Sequence, residues 1–245
     1  MEKIRQALQE IAEINTAYGL SNEKIQKTLD EMETAKVCTP IIGRFSSGKS
    51  ALSNALLGYK GGLLKEAITP ETAVPAEIIY EEGEDNGVIY WNDGREEQIG
   101  IEDYQGRELE AEKVRAVRLR LYNGVLEKFP DVMLVDMPGF ESGCEIHNRA
   151  IDGYLPQSLA YLITFAADDM IVRESIGSIL GELCLHQMPL CVVITKCDKQ
   201  GEDFEKSLEH LKQSLKRYIG NQPVTYCQTS SRNGEIEELK RFLAG

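Results

Sequence analysis

Residues 43–50 read Gly-Arg-Phe-Ser-Ser-Gly-Lys-Ser, the spacing G-x-x-x-x-G-K-S with which a glycine-rich turn wraps backbone N–H groups around an anion. The run before it, Lys36 to Ile42, has the apolar, β-branched character of a buried strand, and Ala51 to Leu57 after it has the leucine spacing of a helix. A strand that feeds such a loop into a helix N-terminus points a positive helix end at the loop. Gly43 and Gly48 allow close backbone approach, with Arg44, Phe45, Ser46, Ser47 and Ala51 completing the cradle. Lys49 is expected to place a cation between the β- and γ-phosphates, and the Ser50 hydroxyl to hold Mg²⁺. The pattern implies a nucleoside triphosphate.

Three later segments narrow the nucleotide. Asp136-Met137-Pro138-Gly139 follows the apolar run Val132–Val135, so a strand end delivers a carboxylate for Mg²⁺ and a Gly139 N–H for the γ-phosphate. Thr195-Lys196-Cys197-Asp198 follows the apolar run Leu190–Ile194. The Asp198 carboxylate can accept two hydrogen bonds from the N1–H and N2–H₂ edge of guanine, which adenine does not offer, and the Lys196 stem can lie over the base plane. Thr229-Ser230-Ser231 follows a further strand-like run, where Ser230 and Ser231 are expected to touch the base through backbone. Between the first two motifs, the stretch 68–75 is expected to supply one threonine to Mg²⁺, Thr72 with Thr69 as the alternative. The motif set selects GTP, with GDP as product.

On these motifs, together with Leu63-Leu64 and Pro75, the chain resembles the GTPase domain of the dynamin superfamily, specifically the bacterial dynamin-like proteins, over about residues 36–243. The resemblance implies a P-loop GTPase fold of the α/β class, in which a mostly parallel central sheet has helices on both faces and is enlarged by an antiparallel insertion at about 76–125. It implies catalytic roles for Ser46, Lys49, Thr72 and Gly139, with Ser50, Thr72 and Asp136 around Mg²⁺. It also implies a nucleotide-dependent homodimer that assembles catalysis near Ser46, with a monovalent cation there. Arg44 lies at that interface or is merely exposed. Phe45 departs from the Gln of animal dynamins. Membrane remodelling is implied only through segments not in this chain, which resembles an excised catalytic domain or a stalkless relative and is expected to be cytoplasmic, peripheral at the membrane in the full-length protein.

Strand–helix alternation from residue 131 onward independently predicts a mostly parallel sheet, whose ligands bind at the carboxyl ends of the strands. Within 76–125, Asp85-Asn86-Gly87 and Asn92-Asp93-Gly94 read as hairpin turns, and Arg115, Arg118 and Arg120 mark the wet face of a strand. Pro40 breaks the pattern, because a proline inside a central strand cannot donate to the ladder; a bulge or a lost pairing is expected there. Residues 1–35 form a separate helical segment, with a stripe of Ile4, Leu8, Ile11, Ile14 and Tyr18 and a second stripe of Ile25, Leu29 and Met32 capped by Ser21. That segment either packs on residues 36–245 or joins a neck bundle, as the resemblance suggests.

A net charge of −13 opposes direct contact with nucleic acid or anionic lipid. The six cysteines include no C-x-x-C pair and are expected as reduced thiols. Two other functions fit the motifs: a GTP-gated binding switch with negligible hydrolysis, and an Era-like GTPase, which the acidic charge and the long insertion disfavour.

Overall fold

The computed structural model describes residues 2–59, 62–64, 74–139, 153–199, 201, 203–230 and 236–244. The chain divides into two units, Met1–Lys36 and Val37–Gly245.

In the first unit, α1 (Glu2–Ala17) and α2 (Glu23–Thr34) form a helical hairpin. Gly19, at φ +68, ends α1 in the left-handed region that glycine enters without steric cost. The cap of α2 is Asn22 rather than Ser21. The Asn22 amide reaches back instead of forward, donating to the Ala12 carbonyl and the Thr16 hydroxyl, each at 2.9 Å. The expected stripe on α1 is also offset. Leu8 is half-buried, along with Ala12 and Asn15, while Ile4, Ile11, Ile14 and Tyr18 are exposed.

In the second unit a nine-stranded sheet runs in the order β4-β3-β5-β2-β6-β1-β7-β8-β9. The strands are β1 (Val37–Gly43), β2 (Ala76–Tyr80), β3 (Asn86–Trp91), β4 (Glu96–Gly100), β5 (Val114–Leu121), β6 (Val132–Asp136), β7 (Tyr161–Ala166), β8 (Leu190–Thr195) and β9 (Val224–Gln228). From β6 to β9 every pairing is parallel. Beyond β6 the sheet turns antiparallel at β2–β6, β3–β5 and β3–β4, and β2 and β5 run parallel to each other.

Among the described residues five α-helices accompany the sheet: α3 (Lys49–Leu57), α4 (Ile101–Gly106), α5 (Glu174–His186), α6 (Phe204–Ile219) and α7 (Glu237–Ala244). Successive side chains of a strand face opposite sides, so neighbours Ile41 and Ile42 of β1 enter different cores. Ile41 packs in a cluster with Leu52 and Leu56 of α3 and Leu239 and Leu243 of α7. Ile42 shares the other with Ile176 and Leu180 of α5 and Leu208 and Leu211 of α6. Burial on both faces is why β1 and β8 read as unbroken apolar runs rather than alternating ones. Each such side chain contributes about 1.5–3 kcal/mol. On α6 the fifth buried position is Ile219; Tyr218 lies instead over Gly177 of α5, where an added Cβ would come within 2.4 Å of the ring.

Pro40 keeps its place in the register with β6, opposite Val135. On the other side the β7 ladder begins only at Ile41, preceded by an isolated bridge between Cys38 and Ser158. The pairing that a proline cannot support is therefore the one that is missing. Of the expected hairpin turns, Asn92-Asp93-Gly94 joins β3 to β4, with Gly94 at φ +87. Asn86-Gly87 instead lies inside β3. Gly87 is small for packing, since a Cβ there would sit 3.0 Å from Ile99 and 3.3 Å from Leu119. Arg118 and Arg120 are half-buried and paired with Glu77 and Glu81, so only Arg115 of the three sits on a wet surface.

Candidate functional site

The loop between β1 and α3 rests on two threonines. Ser47 Oγ and Thr164 Oγ1 of β7 are 2.7 Å apart and share a hydrogen bond. The Thr195 hydroxyl, at the end of β8, donates to the Ser47 carbonyl at 2.6 Å. The sequence groups Thr195 with the base-reading motif, but its hydroxyl supports the phosphate loop. Gly43 is required sterically, since an added Cβ would lie 2.0 Å from Thr164 Oγ1 and 2.5 Å from Ser47 Oγ. Gly48 and Ser46 both take the left-handed conformation, at φ +86 and +63. For Gly48 this is free; for Ser46, an exposed residue beside the half-exposed Phe45, it costs on the order of 1–2 kcal/mol.

Lys49 opens α3 with its side chain almost wholly buried. Its ammonium donates to the carbonyls of Gly43 at 3.1 Å and Arg44 at 3.0 Å. Burial pulls its pKa down to about 8, partly offset by the Asp136 carboxylate. Burial likewise pushes the Asp136 carboxyl above its ordinary value, while Lys49 and Ser50 pull it back. The Ser50 hydroxyl donates to Asp136 Oδ2 at 2.6 Å, and Asp136 Oδ1 is buried without a partner. An unsatisfied buried acceptor costs about 1–3 kcal/mol, and a carboxylate oxygen beside a serine hydroxyl is a donor set that suits a hard cation. Ser50 and Asp136 therefore fit Mg²⁺. No group of three or more acidic, histidine or cysteine side chains that could hold a metal ion occurs among the described residues. Thr72 and Thr69 lie outside the described residues.

Gly139 comes against the phosphate loop itself. A Cβ on it would lie 2.6 Å from both the N and Cα of Phe45. Backbone cannot yield as a flexible side chain can, so Gly139→Ala must push the two loops apart. A misplacement of about 1 Å at a reacting centre costs about a hundredfold. Gly139→Ala is therefore expected to lower single-turnover GTP hydrolysis about a hundredfold; hydrolysis at the parental rate would show that this approach is not used.

The segment expected to read the base follows β8, beside the neighbouring strand β9. Lys196 is left-handed at φ +56, which turns the chain sharply after β8. The turn is fixed by Cys197 N–H donating to the Thr229 carbonyl at 3.1 Å and Thr229 N–H donating to the Ile194 carbonyl at 2.7 Å. Ser230, fully buried, donates through its hydroxyl to Asp198 Oδ1 at 3.0 Å. The sequence reading gives Ser230 only a backbone role; its side chain orients the carboxylate that would read the base. Ser231 lies outside the described residues.

Two partners were not foreseen. Arg44 forms an ion pair with Asp169, which also lies 3.5 Å from Arg173, so its guanidinium leans toward the segment after β7. Thr164 is the other. The available signals were a lone polar residue in the apolar run Tyr161–Ala166 and an acidic pair one residue after it.

The protein-family model for the Dynamin family matches residues 40–197, well over half of the chain and every motif except Asp198 and the serines near 230. Nothing among curated proteins matches significantly. Two solved chains from an oligomerised bacterial dynamin pair, described as a mechanism for long-range sensing and tethering of membranes, are similar in fold. One is 18% identical with a TM-score of 0.61, covering 97% of this chain and 40% of the solved one. The other is 18% identical with a TM-score of 0.64, covering 96% and 47%. The chain thus spans less than half the length of either. With the glycine-rich loop, Asp136 and Lys196 at the carboxyl ends of one sheet, and a family match across them, the chain belongs to the dynamin family and is a dynamin-type GTPase domain.

Proposed function

We propose that this domain binds GTP with Mg²⁺, hydrolyses it to GDP, and does so faster when two copies meet across their nucleotides. The observation that carries the reading is the buried Asp136 carboxylate, with Ser50 bound to one oxygen and the other oxygen without a partner, beside a glycine-rich loop that holds the buried Lys49 ammonium. Phosphoryl transfer asks the protein chiefly for position and charge neutralisation. Lys49 supplies the cation at the β- and γ-phosphates and exchanges its present carbonyl partners for phosphate oxygens. Ser50 and Asp136 hold Mg²⁺, with Thr72 as the third protein ligand; the metal, when bound, neutralises charge on the phosphates. The Gly139 N–H, kept close to Phe45, donates to the γ-phosphate. Lys196 and Asp198 select guanine, and Ser230 and Ser231 line the same end.

Ras-like GTPases orient the attacking water with a Gln directly after the Asp-x-x-Gly motif. Here that residue is Phe140, which neither donates nor accepts a hydrogen bond. A single domain therefore lacks a water-orienting group at that position, and Ser46, exposed at the loop tip, is what a second copy would meet, with a monovalent cation beside it. Membrane remodelling by the whole protein would run through segments outside this chain, with residues 1–35 joining them as a neck and the domain lying on the cytoplasmic side. No described helix is long and apolar enough to cross a membrane.

Phe140 also supports a second reading, a GTP-gated switch with negligible turnover. Calorimetry tests the binding that both readings share: GTP is expected to bind in Mg²⁺ and ATP not to bind, and equal affinity for both would refute the guanine assignment. The same titration has a pH signature. Free Lys49 loses its proton as pH rises through about 8, whereas a neighbouring phosphate restores the charge. Binding at pH 8.5 should therefore take up a proton, and affinity should fall as pH rises through that value. A binding enthalpy independent of the buffer's ionisation enthalpy would contradict this.

A further inference from the structure

We propose that Glu77 is a positioning residue for the γ-phosphate end of this site. Glu77, on β2, is a carboxylate with 8% of its surface exposed. Both of its oxygens are engaged. Oε1 accepts from the Tyr154 hydroxyl at 2.7 Å, and Oε2 accepts from Arg118 Nε and Nη2, each at 2.7 Å. Burial, and then the Glu77 carboxylate, hold the Tyr154 phenol well above its ordinary range, so it is a proton donor throughout.

A buried ion pair is a poor way to gain stability, because desolvation consumes most of its attraction. What it adds is direction, since guanidinium and phenol fix the carboxylate from two sides. The direction matters because of what lies next to it. In the register between β2 and β6, Glu77 stands opposite Val135 and Ala76 opposite Asp136. Glu77 points to the face of the sheet opposite Asp136, and it locks β2 through the backbone, one residue in register from the Ala76–Asp136 pair. It locks it to β5 through Arg118, and to the buried Tyr154. Gly139, three residues past Asp136 at the end of β6, is read as a contact that only a triphosphate needs. The phosphate loop and the base-reading turn, which hold a diphosphate, contribute nothing to the cluster.

This inference rests on the GTPase reading, and its test separates the two. Tyr154→Phe removes a single oxygen, and Glu77→Gln keeps the acceptor for Tyr154 while removing the charge that holds Arg118. Both are to be measured in the full chain for turnover, for melting temperature, and for affinity toward GDP and a non-hydrolysable GTP analogue. The expected result is an approximately tenfold fall in kcat and in analogue affinity, with GDP affinity within about twofold of the parent. If Glu77→Gln does not fold, Tyr154→Phe still decides. A Tyr154→Phe protein with a lowered melting temperature but unchanged turnover and an unchanged triphosphate-to-diphosphate affinity ratio would reduce Glu77 to a structural role. A parent chain that binds no GTP would instead overturn the reading of the site as a whole.

Discussion

Lys49→Ala is expected to weaken GTP binding by about three orders of magnitude, or about 4 kcal/mol, while leaving the domain folded. Lys49 is the only lysine or arginine in the described residues whose side chain donates to two carbonyls of the phosphate loop. Its removal takes away the cation that faces the phosphates. It also leaves those carbonyls short of a donor and Asp136 without its countercharge, and breaking one side of a buried charge pair typically costs about 3–5 kcal/mol. Part of that cost is avoided in the free protein, because Asp136 is already pushed toward its neutral form by burial and can take up a proton. The loss therefore falls mainly on the complex, where the phosphates bring negative charge beside a site with no fixed cation. Calorimetry of the variant beside its circular-dichroism melt checks both halves. Affinity within tenfold of the parent would mean that Lys49 does not face the phosphates.

Asp198→Asn carries the second large effect, a change in base preference. GTP affinity is expected to fall about a hundredfold and xanthosine triphosphate to be gained, since a site built around specific base hydrogen bonds discriminates strongly against the wrong edge. The structure gives the geometry for the exchange. Ser230 donates to Asp198 Oδ1 and can donate equally to the amide oxygen of Asn. That would turn the Asn amide nitrogen toward the place Oδ2 now holds, where it opposes the N2–H₂ of guanine and matches the 2-oxo group of xanthine. Competition between the two triphosphates for the parent and the variant measures the effect. Unchanged preference would remove Asp198 from the base-reading role.

Most of what locates the site could be read from sequence, because each motif combines a chemical residue type with an apolar strand run that fixes where it stands. The apolar runs before Gly43, Asp136 and Lys196 became the parallel strands β1, β6 and β8, which brings their carboxyl ends together by topology alone. Local patterns were less reliable where tertiary contacts decided the outcome. Asn86-Gly87 has turn chemistry, yet it opens β3, where Ile99 and Leu119 leave no room for a side chain at Gly87. Six residues are too few for a periodic signal, so α4 at Ile101–Gly106 is not legible in the sequence. Ser230 and Thr195 were placed near the nucleotide, but which way a hydroxyl donates depends on neighbours far away in the chain, Asp198 and Ser47. The partners of Glu77 are likewise invisible in one dimension: Arg118 and Tyr154 are brought to it by the register between strands.

Phosphate release from GTP and from ATP, followed in Mg²⁺ as the protein concentration is raised from nanomolar to micromolar, tests the central claim most directly. The account predicts release from GTP alone, with turnover per chain rising with concentration as two domains combine the groups that Phe140 leaves one domain without. Equal release from ATP, or no release from GTP at any concentration, would contradict it.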